Sequence, residues 1–244
     1  MKRSWIYIKF VLLLGLLGFL FGFTQQRNEQ RKLKKIEVTF VDDNNPFVTL
    51  PTVNKLLIQN HEAITGLPKD TVVLKEMESR LLAHDMVRDA QVYITVDGIL
   101  GARIEQRNPL GRVSATPDYY VDADGKPMPL SQVYAARVPL ITGTSAKKFT
   151  EITPLLVAID TDPFMKNSVV GLHVQRNGKV LMRLRNYDGT VEFGRPEQIP
   201  QKFQYFKAFY KKAKEDKRLT GYEQINLTFG NQVVATKKMS DGTR

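Results

Sequence analysis

The chain has 244 residues, a formal charge of +11 from 36 Lys+Arg against 25 Asp+Glu, and no cysteine. The missing thiols exclude disulfides, thiolate nucleophiles and cysteine-based metal sites. A basic surface suits nucleic acid or an anionic membrane face, and the placement of the charge speaks against nucleic acid. Lys2, Arg3 and Lys9, then Arg27, Arg31, Lys32, Lys34 and Lys35, flank an apolar N-terminal segment, and a second group runs from Lys202 to Arg218. Neither group interleaves arginine with aromatics, and no zinc-finger spacing occurs.

Residues 1–5 read as a short head and residues 6–23 as a transmembrane anchor, apolar apart from Lys9. A segment of that length at ~1.5 Å per residue reaches ~27 Å, close to the hydrocarbon thickness. Lys9 lies near one end, where its stem reaches the headgroups, and Trp5 and Tyr7 suit the interface belt. A retained anchor is favoured over a cleaved leader because no Ala-x-Ala pattern follows. A head this short leaves the folded mass across the membrane, although the flanking charges alone do not orient the segment. Gly18 and Gly22 have the G-x-x-x-G spacing of paired membrane helices.

Residues 24–35 are polar and charged, a juxtamembrane linker. From Ile36 to Phe40 apolar and polar residues alternate, as in a half-buried strand, and the run Asp42-Asp43-Asn44-Asn45-Pro46 breaks it. Thr49 or Thr52 caps a helix with Val53, Leu56 and Leu57 inward and Asn60 at its edge. A loop at Leu67–Asp70 precedes a second helix carrying Leu74, Met77, Leu81 and Leu82 and ending near His84. Val92, Ile94 and Val96 alternate before an Asp97-Gly98 hairpin turn, and Leu100, Ala102 and Ile104 alternate after it. Residues 36–108 therefore read as an α+β layer with two helices on one face of a three-stranded sheet.

Residues 109–236 are richer in hairpins. Tyr119–Val121 leads to Asp124-Gly125, and the run Leu172–Arg176 leads to Asn177-Gly178. Val180, Met182 and Leu184 follow, then Asp188-Gly189 and Val191–Phe193, predicting an antiparallel meander with turns at both dipeptides. One helix is expected over 150–159. Another begins after Pro200, burying Phe203, Phe206, Tyr210 and Ala213 and exposing Lys202, Lys211, Lys212 and Lys214. Ile225, Leu227 and Phe229 alternate on a last strand that runs on through Val233 and Val234, and residues 237–244 form a flexible tail.

The chemistry-bearing residues favour structural roles. Asp122-Ala123-Asp124-Gly125 hints at a calcium loop, but Tyr120 and Ser131 stand where an EF-hand needs oxygen ligands, so it reads as a turn. His61, His84 and His173 lie on unrelated elements with no ligand spacing, and His84 suits a helix C-terminus. No nucleophile elbow, Walker loop or dinucleotide fingerprint occurs. The pairs Asp160/Asp162 and Asp42/Asp43 sit in turn-like contexts where aspartate caps. No catalytic residue, cofactor or metal is predicted; an anchored envelope enzyme would need a pocket of convergent polar groups.

Gln106-Arg107-Asn108-Pro109-Leu110-Gly111-Arg112-Val113, followed by Tyr120-Val121-Asp122-Ala123-Asp124-Gly125, resembles the bacterial cell-division family FtsQ/DivIB. Val138-Pro139-Leu140-Ile141-Thr142-Gly143 is similar to that family's P-x-[IL]-x-G element, and Ile225-Asn226-Leu227-Thr228-Phe229 to its terminal I-D-L-R-[YF] strand, with Asn226 for aspartate and Thr228 for arginine. The resemblance implies a POTRA domain over 36–108, a β-domain over 109–236, and a non-enzymatic divisome scaffold at the septum. Its head would be cytoplasmic, its body periplasmic, and its partners coiled-coil proteins of the FtsB and FtsL type, with other septal membrane proteins at the POTRA domain. A terminal strand at a sheet edge offers unpaired N–H and C=O groups to a partner strand. The expected partner-binding residues are Tyr222, Ile225, Leu227, Thr228, Phe229, Gly230, Asn231 and Val233. The alternative is a membrane-anchored POTRA adaptor of envelope assembly or secretion.

Overall fold

The computed structural model describes residues 2–29, 32–42, 47–58, 73–131, 133–143 and 149–238. Asp43–Pro46, Asn60, His61, Leu67–Asp70 and the end of the tail lie outside them. Helix α1 (Lys2–Glu29) carries the N-terminal apolar run, and Lys9–Gln26 is long and apolar enough to cross a membrane. Its apolar side chains from Phe10 to Phe23 face outward, as a lipid-facing helix requires. By internal contacts the chain divides into two units, Met1–Gln106 and Arg107–Arg244.

Beyond α1 the first unit contains β1 (Lys35–Phe40), α2 (Leu50–Ile58), α3 (Leu74–Leu82), β2 (Val87–Ile94) and β3 (Ile99–Gln106). Gly98 takes φ +86° in the β2–β3 turn, where glycine avoids the Cβ penalty. β1 adds parallel to β3, so the strand order is β1-β3-β2. Leu100, Ala102 and Ile104 are buried on central β3, as are Val53 and Leu57 of α2 and Met77 and Leu81 of α3. Thr49 Oγ1 accepts the Thr52 N–H at 3.4 Å, so the α2 cap falls where the sequence puts it.

Among the described residues the second unit holds one mixed sheet of nine strands and three α-helices. Its strands are β4 (Pro109–Val113), β5 (Tyr119–Asp122), β6 (Pro127–Pro129), β7 (Leu140–Thr142), β8 (Val169–Val174), β9 (Val180–Leu184), β10 (Tyr187–Gly194), β11 (Tyr222–Asn226) and β12 (Val234–Lys237). Across the sheet they run β12-β11-β10-β9-β8-β7-β4-β5-β6. Helices α4 (Phe149–Thr161) and α5 (Pro163–Ser168) connect β7 to β8, and α6 (Ile199–Glu215) connects β10 to β11. Both connected pairs are parallel, because a helical crossover returns the chain to the end at which the previous strand began. A single core joins Ile141, Leu172, Met182, Val191 and Ile225 of the sheet to Ile152, Leu156, Met165, Phe203 and Phe206 of the helices.

Two sequence expectations are corrected here. The second meander turn does not lie at Asp188-Gly189: Leu184 pairs with Tyr187, so the chain reverses at residues 185–186. Asp188-Gly189 sits inside β10 at a register shift, where a Cβ on residue 189 would strike the Tyr187 ring and the Glu223 carbonyl. The glycine serves close backbone approach at a bulge, a requirement that looks like a turn in one dimension. The single strand expected over 222–234 is instead a hairpin, β11 and β12, with the chain between them reversing.

The paired motifs at Arg107 and Asp122 meet in space. Asp122 is buried, and its Oδ2 accepts a hydrogen bond from Arg107 Nη1 at 2.6 Å. Its Oδ1 accepts from the amides of Asp124 and Lys126 at 3.0 and 2.8 Å. The aspartate thus builds the β5–β6 turn and neutralises the arginine that leads into β4. Asp122→Ala leaves the half-buried Arg107 without its partner and the Asp124 and Lys126 amides without their acceptor, so it should lower the stability of the second unit by about 1–3 kcal/mol. Chemical denaturation of the full chain in detergent, followed by a probe in that unit, measures this.

Candidate partner-binding edge

The C-terminal hairpin completes the sheet, and main-chain hydrogen bonds fix which of its groups face outward. The Leu227 N–H donates to the Glu192 carbonyl on β10 at 2.9 Å. Backbone groups alternate sides along a strand, so Ile225 also faces β10, while Gln224 and Asn226 face β12. Their partners across the ladder are Thr236 and Val234. The Lys238 N–H donates to the Gly221 carbonyl at 2.8 Å, in phase with that set. Ala235 and Lys237 therefore turn their N–H and C=O groups away from the sheet. β12 is the outermost strand on that side.

The expected site residues divide into three groups. Ile225 (0% exposed) and Leu227 (3%) belong to the core, and β11 is paired on both sides, so neither residue lies at an open edge. Tyr222 packs its ring 5.6 Å from Phe209, and Val233 is partly buried against the same core. Thr228, Phe229, Gly230 and Asn231 form the exposed reversal between the strands, with Phe229 48% exposed. The hairpin arises locally. Asn226 Oδ1 accepts from the Thr228 amide at 2.8 Å and hydroxyl at 2.6 Å, and the Gln232 amide closes on the Phe229 carbonyl at 3.2 Å. Asparagine suits position 226 because its amide also donates to Glu192 Oε2 at 2.8 Å; an aspartate would set two carboxylates against each other. Ala235 and Lys237 were not among the expected residues. Gly230-Asn231 was the available signal, a short hairpin dipeptide, masked by the longer apolar alternation.

At its other end the sheet closes with β6, Pro-Met-Pro, where Pro127 and Pro129 each lack an N–H. Such prolines blunt an edge against added strands. The two edges of one sheet are thus chemically unlike.

On the helical side, Asp162 caps α5, as aspartate in a turn context predicts: Oδ1 accepts from the Phe164 and Met165 amides at 3.0 and 3.1 Å. Oδ2 accepts from Lys207 Nζ of α6 at 2.6 Å. Burial pushes this carboxyl up, but the Lys207 hydrogen bond, the helix amides and the lysine charge outweigh it and hold it below the usual aspartate value. Lys202 donates to the Phe193 and Arg195 carbonyls at 3.0 and 2.8 Å and lies 4.6 Å over the Phe193 ring. It therefore ties α6 to the end of β10.

A helix long and apolar enough to cross a membrane thus precedes a three-stranded unit with two helices and a mixed-sheet unit, the architecture of a single-pass protein with a small α+β domain and a larger β-rich one. Residues 31–105 match the POTRA-like domain. Residues 108–236 match the family described as FtsQ/DivIB, C-terminal related, and the chain belongs to that family. It is a family of cell-division scaffolds, and neither it nor the POTRA family is enzymatic in general. No curated protein gives a sequence match to the chain.

Two outcomes follow from this geometry. Phe229→Asp should leave the melting temperature nearly unchanged, whereas Ile225→Asp buries a charge and should unfold the second unit; thermal melts of both variants compare them. The lowered Asp162 pKa means its contribution is present above the ordinary aspartate range and is lost as pH falls through its folded value. In Lys207→Met the carboxyl should titrate at higher pH, moving the onset of acid destabilisation upward, as read by carboxyl NMR titration and acid unfolding.

Proposed function

We propose that this protein is a membrane-anchored divisome scaffold that holds a partner by strand addition along β12. In this reading residues 1–5 are a cytoplasmic head, 6–23 the anchor and 24–35 a linker. Residues 36–108 and the β-domain from 109 on, whose last described strand β12 runs to Lys237, are a periplasmic body that gathers at the septum. The observation that carries the reading is the contrast between the sheet's edges. β6 is stopped by Pro127 and Pro129, while Ala235 and Lys237 of β12 turn outward donors and acceptors that have no backbone partner among the described residues. A strand laid beside β12 would satisfy those groups and extend the sheet.

Phe229, Thr228, Gly230 and Asn231 stand beside that edge as side-chain contacts, with Phe229 the apolar anchor. The partners are FtsB- and FtsL-type coiled-coil proteins, with other septal membrane proteins at the POTRA domain. The core positions Ile225 and Leu227 act by holding β11 in place, and Tyr222 and Val233 brace the hairpin.

Proline distinguishes edge pairing from side-chain docking. Ala235→Pro removes an outward N–H and should abolish partner binding while the melt is kept. Thr236→Pro removes an N–H that bonds to β11 and should lower both. Pull-down of FtsB- and FtsL-type proteins from membranes, alongside thermal melts, reads the pattern. Full partner binding by Ala235→Pro excludes strand addition.

A further inference from the structure

The helix layer carries a second surface that the β12 reading does not use. Along α6, Gln204, Lys207, Lys211 and Lys214 recur at spacings of three, four and three residues, and Arg218 follows beyond the end of the helix. On a helix that spacing puts them on a single flank. The adjacent stripe, Phe203, Phe206, Tyr210 and Ala213, is buried in the core, so the cationic flank stands at the border between core and solvent. Lys207 is engaged with Asp162. Among the described residues no carboxylate pairs with Lys211, Lys214 or Arg218, and all three are exposed. The ion pair formed within this stretch, Lys212 with Asp216 at 3.9 Å, involves none of the three.

At the N-terminal end of the flank the surface sinks into a depression of about 380 Å³ between α4, α5 and α6. Ala158, Pro163, Ile199 and Phe203 supply its apolar wall, with Thr161 and Gln204 at the mouth. The Asp162–Lys207 pair, with Asp162 also bonded to the α5 amides, braces α5 against α6 beside it. The depression is therefore a held feature of the helix packing, and the cationic row begins where it ends.

We infer that this flank docks an amphipathic helix of a partner protein, with an apolar side chain seated in the depression and acidic residues set against Lys211 and Lys214. Charge complementarity identifies the chemistry: a row of cations from Lys207 to Lys214 about 10 Å long, at 1.5 Å per residue, matches carboxylates on one face of an opposing helix. Concavity separates this occupant from a lipid surface. Helices that lie on membranes insert protruding aromatic or aliphatic side chains, whereas the aromatics of the α6 core stripe point into the core and the apolar groups at the flank form a hollow. The pattern of recognition is a helix anchored in a groove and oriented by charge.

The test uses the full chain in detergent and fluorescence anisotropy with labelled synthetic helical peptides. These carry glutamates at i, i+3, i+4 and i+7 around a leucine or phenylalanine, in both chain directions. Controls are polyglutamate of equal charge and phosphatidylglycerol-containing vesicles. Binding by an acidic amphipathic peptide is expected, weakening with salt and by about tenfold or more in K211E/K214E. Gln204→Trp, which fills the depression from an exposed position, should weaken it as well. Ala235→Pro should leave it intact, separating this surface from the β12 edge. The inference is overturned if no peptide binds the wild-type chain, if K211E/K214E binds as well as wild type, if polyglutamate binds equally tightly, or if only vesicles bind.

Discussion

The helical crossovers set the order of everything after them in the second unit. A strand followed by a helix must be continued by a parallel neighbour if the helix is to cover the sheet between them. The crossover through α6 thus brings β11 parallel to β10, and the described chain goes on as the β11–β12 hairpin. The outer strand of that hairpin, β12, is the edge of the sheet among the described residues. The open edge at β12 is a consequence of burying Phe203, Phe206 and Tyr210 against the sheet.

Two other edges in the molecule, β6 and β2, are handled differently. β6 ends the same sheet with two prolines. In the first unit the outer strand β2 directs the Val92 N–H at Glu78 Oε2, 3.4 Å away, and the Ala90 N–H at Asp89 Oδ1, 3.0 Å away. Carboxylates of the unit itself therefore occupy donors that an added strand would need. Beside these two guarded edges, Ala235 and Lys237 present a short strand without proline, in a sheet whose neighbouring strands are held by core residues.

The motifs that identify the family are mostly structural. Arg107 and Asp122 meet as one ion pair, and Ile141 of the Pro-x-Ile-x-Gly element is buried between β4 and β8. Ile225 and Leu227 are core. A scaffold needs a rigid sheet before it needs particular contact residues, because strand addition reads backbone groups whose direction only the sheet defines.

The sequence by itself determined the element types and most of their places. Helical spacing marked α2, α3 and α6, alternation marked β2, β3 and β9, and Asn177-Gly178 marked a turn that forms there. Each of these signals is local, set by periodicity or by a residue's own backbone preference. Tertiary structure decided the rest. Asp188-Gly189 reads as a turn yet serves a bulge, because the need for space there comes from Tyr187 and Glu223. The six-residue α5 was too short to show a period, and its cap Asp162 reads as a loop residue until Lys207 arrives from α6. The terminal strand shows the limit most sharply. Alternation through Ile225, Leu227 and Phe229 says which residues share a face, but pairing partners come from the crossover and from the Asn226 turn. Which N–H groups face solvent depends on both neighbours of a strand, so it was decided only when β10 and β12 closed on β11.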